Sequence, residues 1–311
     1  MKAVQIHSFG GPEVLKVEEV PMPEPGNGEV RIRVHAASVN PVDYKMRSGG
    51  YPRAPEERLP LTLGRDVAGT IDSCGPGVED FKPGDAVFTV LPWDRGGYAE
   101  FAVVGAADCA RQPKRLQEAQ AAAVPLAGLT AWQGLFDHGG LREGQCVLIH
   151  GGAGGVGHLA VQFAHAKGAT VYATCSGQDL GFVEGLGAKR AIDYKSERFE
   201  DIVHDADVVL DLIAGETQDR SWSVLKENGI IVSTLKPPSR EKAAERHARG
   251  TNYLVQSNGK ELSEIAQLID QGKVIPEIDR IYPLGAAAEA QQHLENDHVR
   301  GKVILQVVDR V

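Results

Sequence analysis

A chain of 311 residues exceeds the usual single-domain size and predicts two domains. Its 42% hydrophobic and 24% charged residues, free of repeats and low-complexity tracts, exclude long disorder, and a net charge of −9 opposes a nucleic-acid partner. Cys74, Cys109, Cys146 and Cys175 lack the close spacing of a metal knuckle or thioredoxin-like pair and read as reduced small hydrophobes.

From the start, Gly10, Gly11, Pro12 and Glu13 interrupt the segment where a signal peptide needs an unbroken apolar run, and no membrane-length stretch follows. A cytoplasmic location without membrane contact is expected. Twelve of the seventeen prolines lie in the first 113 residues, which predicts strand and loop there. Glu29 to Ala36 alternates as a half-buried strand, with Val30, Ile32, Val34 and Ala36 on one face. Val67 to Ile71, Ala86 to Val90 and Tyr98 to Val103 follow, separated by Gly-Pro, Pro-Gly and Gly-Gly turns, and together they suit a compact antiparallel barrel.

From about Ala119 helix and strand alternate. A helical stretch passes Trp132, then come strand Gln145 to His150, a glycine turn Gly151 to Gly157, and a helix carrying Val156, Leu159, Ala160, Phe163 and Ala164. Next are strand Thr170 to Thr174, helix Asp179 to Leu186, strand residues Ala191 to Asp193, strand Val208 to Leu212, helix Thr217 to Lys226 and strand Ile230 to Ser233. This order predicts an α/β fold with a doubly wound parallel sheet. Lys236 to Gly250 reads as a loop without chemical signature. The tail supplies helices Glu261 to Asp270 and Ala286 to Leu294 and a last strand, Lys302 to Val307, whose packing partner the pattern does not reveal.

Gly152-Ala153-Gly154-Gly155-Val156-Gly157 matches the spacing Gly-x-Gly-x-x-Gly directly between a strand and an amphipathic helix, the context that dinucleotide binding requires. The glycines would let a pyrophosphate approach the helix N-terminus, whose unpaired N–H groups favour anions. The competing reading is a purely structural glycine turn. At the end of the following strand, Thr174-Cys175-Ser176-Gly177 holds no carboxylate to accept ribose hydroxyls, and Ser176 could bond a 2′-phosphate. NADPH is therefore the expected cofactor, although Asp179 stands nearby and no lysine or arginine follows Ser176 closely.

Val39-Asn40-Pro41-Val42-Asp43, Gly64-Arg65-Asp66-Val67-Ala68-Gly69, Leu126-Ala-Gly-Leu-Thr130-Ala-Trp132, His150 to Gly157 and Arg300 to Leu305 carry a resemblance over almost the whole chain. They resemble the medium-chain dehydrogenase/reductase superfamily, in its zinc-free quinone oxidoreductase branch that includes the zeta-crystallin-like reductases. The resemblance implies a Rossmann-type domain over 122–258 and a GroES-like β-barrel domain over 1–121 completed by 259–311. It also implies a homodimer and a small-molecule quinone or enone as hydride acceptor. Zinc-dependent relatives have a Cys ligand and a Gly-His-Glu motif where this chain has Asn40 and Gly64-Arg65-Asp66, and a second Cys ligand near Ala127, so no metal is expected.

By resemblance, Asn40 and Thr130 lie beside the nicotinamide, Tyr194 near the adenosine phosphate, and Ile213, Thr234 and Lys302 are further candidate cofactor contacts. Tyr51 resembles the tyrosine that related enoyl reductases place over the reacting centre, where its hydroxyl could serve a developing oxyanion or donate a proton; packing in its turn is the alternative. Tyr44 and Lys45 are competing proton donors. Asp43 is read either as orienting Asn40 or Lys45 or as a helix cap. Arg65 and Asp66 are read as a structural ion pair in preference to a substrate contact, and His150 and His158 as packing or surface residues. A cofactor-binding protein with a sensory or structural role, and a zinc alcohol dehydrogenase, are the alternative functions.

Overall fold

The computed structural model describes residues 1–51 and 56–308, and the chain divides into two compact units. The first comprises Met1–Leu126, Ser257–Asp270 and the residues from Pro276 onward; the second comprises Ala127–Gln256 and Gln271–Ile275.

The first unit opens with strands β1 (Lys2–Ile6), β2 (Lys16–Glu19) and β3 (Glu29–Val39), then helix α1 (Pro41–Arg47). Strands β4 (Leu61–Thr62), β5 (Asp66–Cys74), β6 (Ala86–Val90), β7 (Phe101–Gly105) and β8 (Cys109–Arg111) and the short helix α2 (Glu118–Ala122) follow. As the alternation predicts, Val30, Ile32, Val34 and Ala36 of β3 are fully buried. β3 continues three residues beyond Ala36, because Ala37 to Val39 pair with the C-terminal strand described below. Tyr98, expected to begin a strand, instead precedes β7 as one of the largest fully buried side chains.

The second unit contains most of helix α3 (Pro125–Trp132), then β9 (Cys146–His150), α4 (Gly157–Ala166), β10 (Thr170–Cys175), α5 (Leu180–Gly185) and β11 (Arg190–Asp193). It continues through β12 (Ala206–Asp211), α6 (Gly215–Ser221), β13 (Leu225–Ser233), α7 (Arg240–Glu245) and β14 (Arg249–Asn252). All six strands are parallel, in the order β11-β10-β9-β12-β13-β14, the doubly wound arrangement whose strand order reverses between β9 and β12. Two expectations fail here. The helix expected to reach Lys226 ends at Ser221, because Leu225 pairs with Ala206 and begins β13. The stretch read as a loop contains α7, whose Ser239 cap accepts from the Lys242 N–H, and the polar edge strand β14.

The tail returns to the first unit as α8 (Gly259–Asp270), β15 (Ile278–Pro283), α9 (Ala287–Asn296) and β16 (Lys302–Gln306). β16 pairs antiparallel with β3, which answers where the last strand packs, and β15 lies parallel to β16. Val303 and Leu305 thereby join Val4, Ile32, Val34, Leu63 and Tyr98 in one apolar core. No helix among the described residues is long and apolar enough to cross a membrane.

Candidate functional site

The glycine turn sits at the C-terminal end of β9, at the reversal of strand order, where doubly wound sheets bind ligands. Gly151 has φ +75°, a conformation that favours glycine. Thr174 of the neighbouring strand fixes the turn: its hydroxyl accepts from the Gly151 N–H at 3.2 Å, and its carbonyl from the Gly152 N–H at 2.8 Å. Gly157 is required by close packing, since a Cβ there would lie 2.0 Å from the Gly151 carbonyl oxygen. Gly154 is not. Its Cβ would meet only that oxygen, at 3.5 Å, so the open space above Gly154 is room for a ligand in place of a demand of the fold. The turn feeds α4, whose first N–H groups have no acceptor within the helix, although that of His158 donates back to the Gly154 carbonyl at 3.0 Å.

Around this cradle, Ile213 is 52% exposed, an unusual setting for a large aliphatic side chain, and its Cδ1 would lie 3.3 Å from a Cβ on Gly151. Asp211, which the sequence did not single out, shapes this edge. Its fully buried carboxylate accepts from the N–H groups of Ile213 and Ala214, from the Gln218 amide and from the Ser233 hydroxyl. Thr234 follows directly, its N–H donating to the Asp211 carbonyl. The Thr130 carbonyl accepts from the hydroxyl of Tyr253, another residue the sequence did not mark. His150 is a core residue: it contacts Thr174 Oγ1 and Ser221 Oγ, and burial pushes its pKa down to about 4. His158 is likewise buried, with Nδ1 at 2.9 Å from the Gly154 carbonyl oxygen.

At the end of β10 the geometry corrects the expected role of Ser176. Its hydroxyl donates to Asp179 Oδ2 at 2.7 Å, and both residues are buried, so the proton expected to serve a phosphate is committed to a carboxylate. Tyr194, after β11, is 60% exposed, and the Lys195 ammonium lies 5.8 Å from its ring centroid. Lys195 is a cation that stands far from Ser176 in the sequence and reaches this end only through the pairing of β10 with β11.

In the first unit, Asn40 follows β3 and caps α1. The Asn40 N–H donates to Asp43 Oδ2 at 2.8 Å, which assigns Asp43 its capping role, and the buried Tyr98 hydroxyl donates to the same oxygen at 2.8 Å. Asn40 Nδ2 donates to Asp66 Oδ1 at 2.9 Å, and Asn40 Oδ1 accepts from the Lys302 ammonium. Burial pushes Asp43 up to about 7 and raises Tyr98 well above the usual phenol range. Burial also lowers Lys302, against the opposing pull of Asp66 and Asp43.

The Tyr51 ring stacks on Trp93 at 5.2 Å between centroids, and the buried Arg65 guanidinium lies 3.7 Å from the Trp93 ring centroid. Asp66, the expected ion partner of Arg65, accepts instead from Ser38, Asn40 and the Leu126 N–H. Lys45 and Tyr44 are partly exposed on α1. Asn40 and Arg65 stand at positions where the resemblance puts zinc ligands of relatives; a guanidinium does not ligate a cation, and the Asn40 amide oxygen already accepts from the Lys302 ammonium. Among the described residues, no group of three or more His, Cys, Asp or Glu is placed to hold a metal.

Residues 26–114 match the family described as alcohol dehydrogenase GroES-like domain, and residues 186–305 match that described as zinc-binding dehydrogenase. The chain is 36% identical to the Homo sapiens protein named NAD(P)H oxidoreductase RTN4IP1, mitochondrial, over 99% of this chain and 89% of that one. It is 38% identical to an Arabidopsis thaliana protein named NADPH-dependent alkenal/one oxidoreductase, chloroplastic, over 98% of this chain and 79% of that one. Among solved structures, the quinone oxidoreductase from Coxiella burnetii superposes with a TM-score of 0.92 at 39% identity, covering 99% of each chain.

Proposed function

Since the chain belongs to the zinc-free, quinone oxidoreductase-like branch of the medium-chain dehydrogenase/reductase superfamily, we propose that it transfers hydride from NADPH to a quinone or an α,β-unsaturated carbonyl compound. The observation that carries the reading is the cradle at the switch point, where Gly154 leaves space that packing does not require while Gly157 closes the turn. Gly151 to Gly157 would hold the pyrophosphate, Ile213 and Thr234 the adjoining faces of the nucleotide, Tyr194 its adenosine end, and Asn40 and Thr130 the nicotinamide. The bound nucleotide supplies the hydride. The chain supplies orientation and a proton source, for which Tyr51 is the first candidate and Lys45 the second.

The Lys302 ammonium on the Asn40 amide, and a guanidinium at position 65, support a zinc-independent reaction. A simple ketone needs its oxygen polarised before it accepts hydride, whereas a quinone or enone is already electrophilic, so the missing Lewis acid favours conjugated acceptors. A homodimer and a cytoplasmic location belong to the same proposal; the human and Arabidopsis relatives are named mitochondrial and chloroplastic. The test is NADPH oxidation against a panel of quinones, enones and simple aldehydes. Turnover confined to the conjugated acceptors is expected; NADPH binding without acceptor-dependent turnover would replace the enzyme reading with the sensory one.

A further inference from the structure

The Asn40 amide lies between two buried charges of opposite sign. Its nitrogen faces Asp66, which is fully buried, and its oxygen faces the Lys302 ammonium, which is 3% exposed. A carboxylate only accepts and an ammonium only donates, so a flipped amide would oppose donor to donor and acceptor to acceptor. Each charge is itself aimed by the fold. Asp66 Oδ1 accepts from the Ser38 hydroxyl at 2.6 Å and Oδ2 from the Leu126 N–H at 3.0 Å, while the Lys302 ammonium also donates to the Val39 carbonyl at 3.3 Å. Burying two charges to hold one neutral amide is an expensive way to join strands, since apolar side chains of similar size would do that at least as well. What charges of opposite sign add is a unique amide orientation.

We propose that Asp66 and Lys302 are positioning residues that fix the orientation of the Asn40 amide and act on hydride transfer through it. This rests on the reading that Asn40 contacts the nicotinamide. It also changes the role of Lys302 from a cofactor contact to a support of one. Asp66→Asn separates these ideas, because all three of its partners are donors distributed over both oxygens. An asparagine must turn its NH2 group either toward the Leu126 N–H or toward Ser38 and Asn40; the Ser38 hydroxyl can reverse and accept, so the bond lost is the one to Leu126 or the one to the Asn40 amide.

The experiment is a double-mutant cycle of Asp66→Asn and Asn40→Ala, reading single-turnover hydride transfer from preformed NADPH complexes to a quinone or enone. Nucleotide titration and thermal unfolding of each variant accompany it. Each single substitution is expected to slow transfer by roughly tenfold or more, and the double variant to be no slower than Asn40→Ala alone by more than about twofold. NADPH affinity should stay within about threefold, since pyrophosphate and adenosine contacts dominate it. Multiplying effects in the double variant would overturn the proposal, because a merely structural Asp66 acts independently of Asn40. If Asp66→Asn does not fold, Lys302→Met completes the same cycle with the same criteria. Unchanged transfer in Asn40→Ala would overturn the inference together with the placement of Asn40, whereas absent turnover in the wild type would overturn the function proposed above.

Discussion

Burial decides the protonation of Asp43, and this gives the residue a measurable signature. Its Oδ2 accepts two hydrogen bonds, from Asn40 and Tyr98, while its buried Oδ1 has no partner among the described residues. The folded state therefore holds the proton up to about pH 7, against the ordinary carboxylate value of 3.8. A group with a raised folded pKa contributes stability that is complete below its unfolded pKa and is lost as pH rises through the folded one. Relative to Asp43→Asn, the wild type should lose roughly 2–4 kcal/mol between pH 4 and 7, as each pKa unit is about 1.4 kcal/mol. Denaturant unfolding of both proteins at pH 4.5 and 8 measures this, and a pH-independent difference would show that Asp43 stays ionised. Tyr51→Phe tests the proton source, because phenylalanine keeps the stack on Trp93 and removes only the hydroxyl. Turnover of enones should fall by roughly ten- to a thousandfold with NADPH affinity unchanged; undiminished turnover would leave Tyr51 a packing residue. Of this cluster, Asn40, Asp43 and Asp66 were legible because they stand in two short motifs. Their joining was not, since Tyr98 reaches Asp43 across 55 positions, held beside Val4 and Leu63 by backbone hydrogen bonds, and Lys302 reaches Asn40 across 262, a separation that the antiparallel pairing of β16 with β3 closes.

At the scale of elements, the turn between β9 and α4 contains two glycines that the sequence cannot tell apart and the structure can. Gly157→Ala would drive a Cβ to 2.0 Å from the Gly151 carbonyl oxygen and against the backbone of Gly151 and Gly152, so the turn must open and the unit should lose several kcal/mol of stability. Gly154→Ala meets only ordinary contact and should leave stability unchanged or raise it by about 0.4–1 kcal/mol through a less flexible unfolded chain. It should nevertheless weaken NADPH by roughly tenfold or more, because the methyl group occupies the ligand's approach. Thermal unfolding and nucleotide titration of the two variants check this, and equal effects on both properties would refute the division. Elements with an apolar run buried on both faces, such as β9 and β12, were read within a residue or two. Those held by polar edges were missed. β14, Arg-Gly-Thr-Asn, has no apolar rhythm and exists because β13 offers it a ladder. The apolar pattern overextends α6 because Leu225 has the character of either a helix face or a strand, and pairing with Ala206 decides for the strand.

For the molecule as a whole, two properties follow from the balance of charges. The purified protein should hold no stoichiometric zinc and keep its activity in chelator, because Lys302 and Arg65 place cations where a ligand set would be needed; one zinc per chain by elemental analysis would sink this. The second property is the choice between NADPH and NADH. A 2′-phosphate is a dianionic acceptor for most of its population near neutrality and needs donors. Ser176 cannot serve as one while its hydroxyl donates to Asp179, and the Asp179 carboxylate itself repels the phosphate, although burial and that hydrogen bond direct it inward. Donors at this end include the exposed Tyr194 hydroxyl and the Lys195 ammonium beside its ring. Both lie on the surface, where each charge-assisted contact is screened by salt over a Debye length of about 8–10 Å. NADPH preference should therefore be on the order of tenfold at low salt, about 1.4 kcal/mol, and should shrink as ionic strength rises. Lys195→Gln should bring the two nucleotides to near parity, while Asp179→Asn should widen the preference by removing the opposing charge. Titrating the wild type and both variants with NADPH and NADH at low and high salt decides the matter. A ratio that ignores both Lys195→Gln and salt would mean that the phosphate is read by buried groups, and that Lys195 only shields the ring of Tyr194.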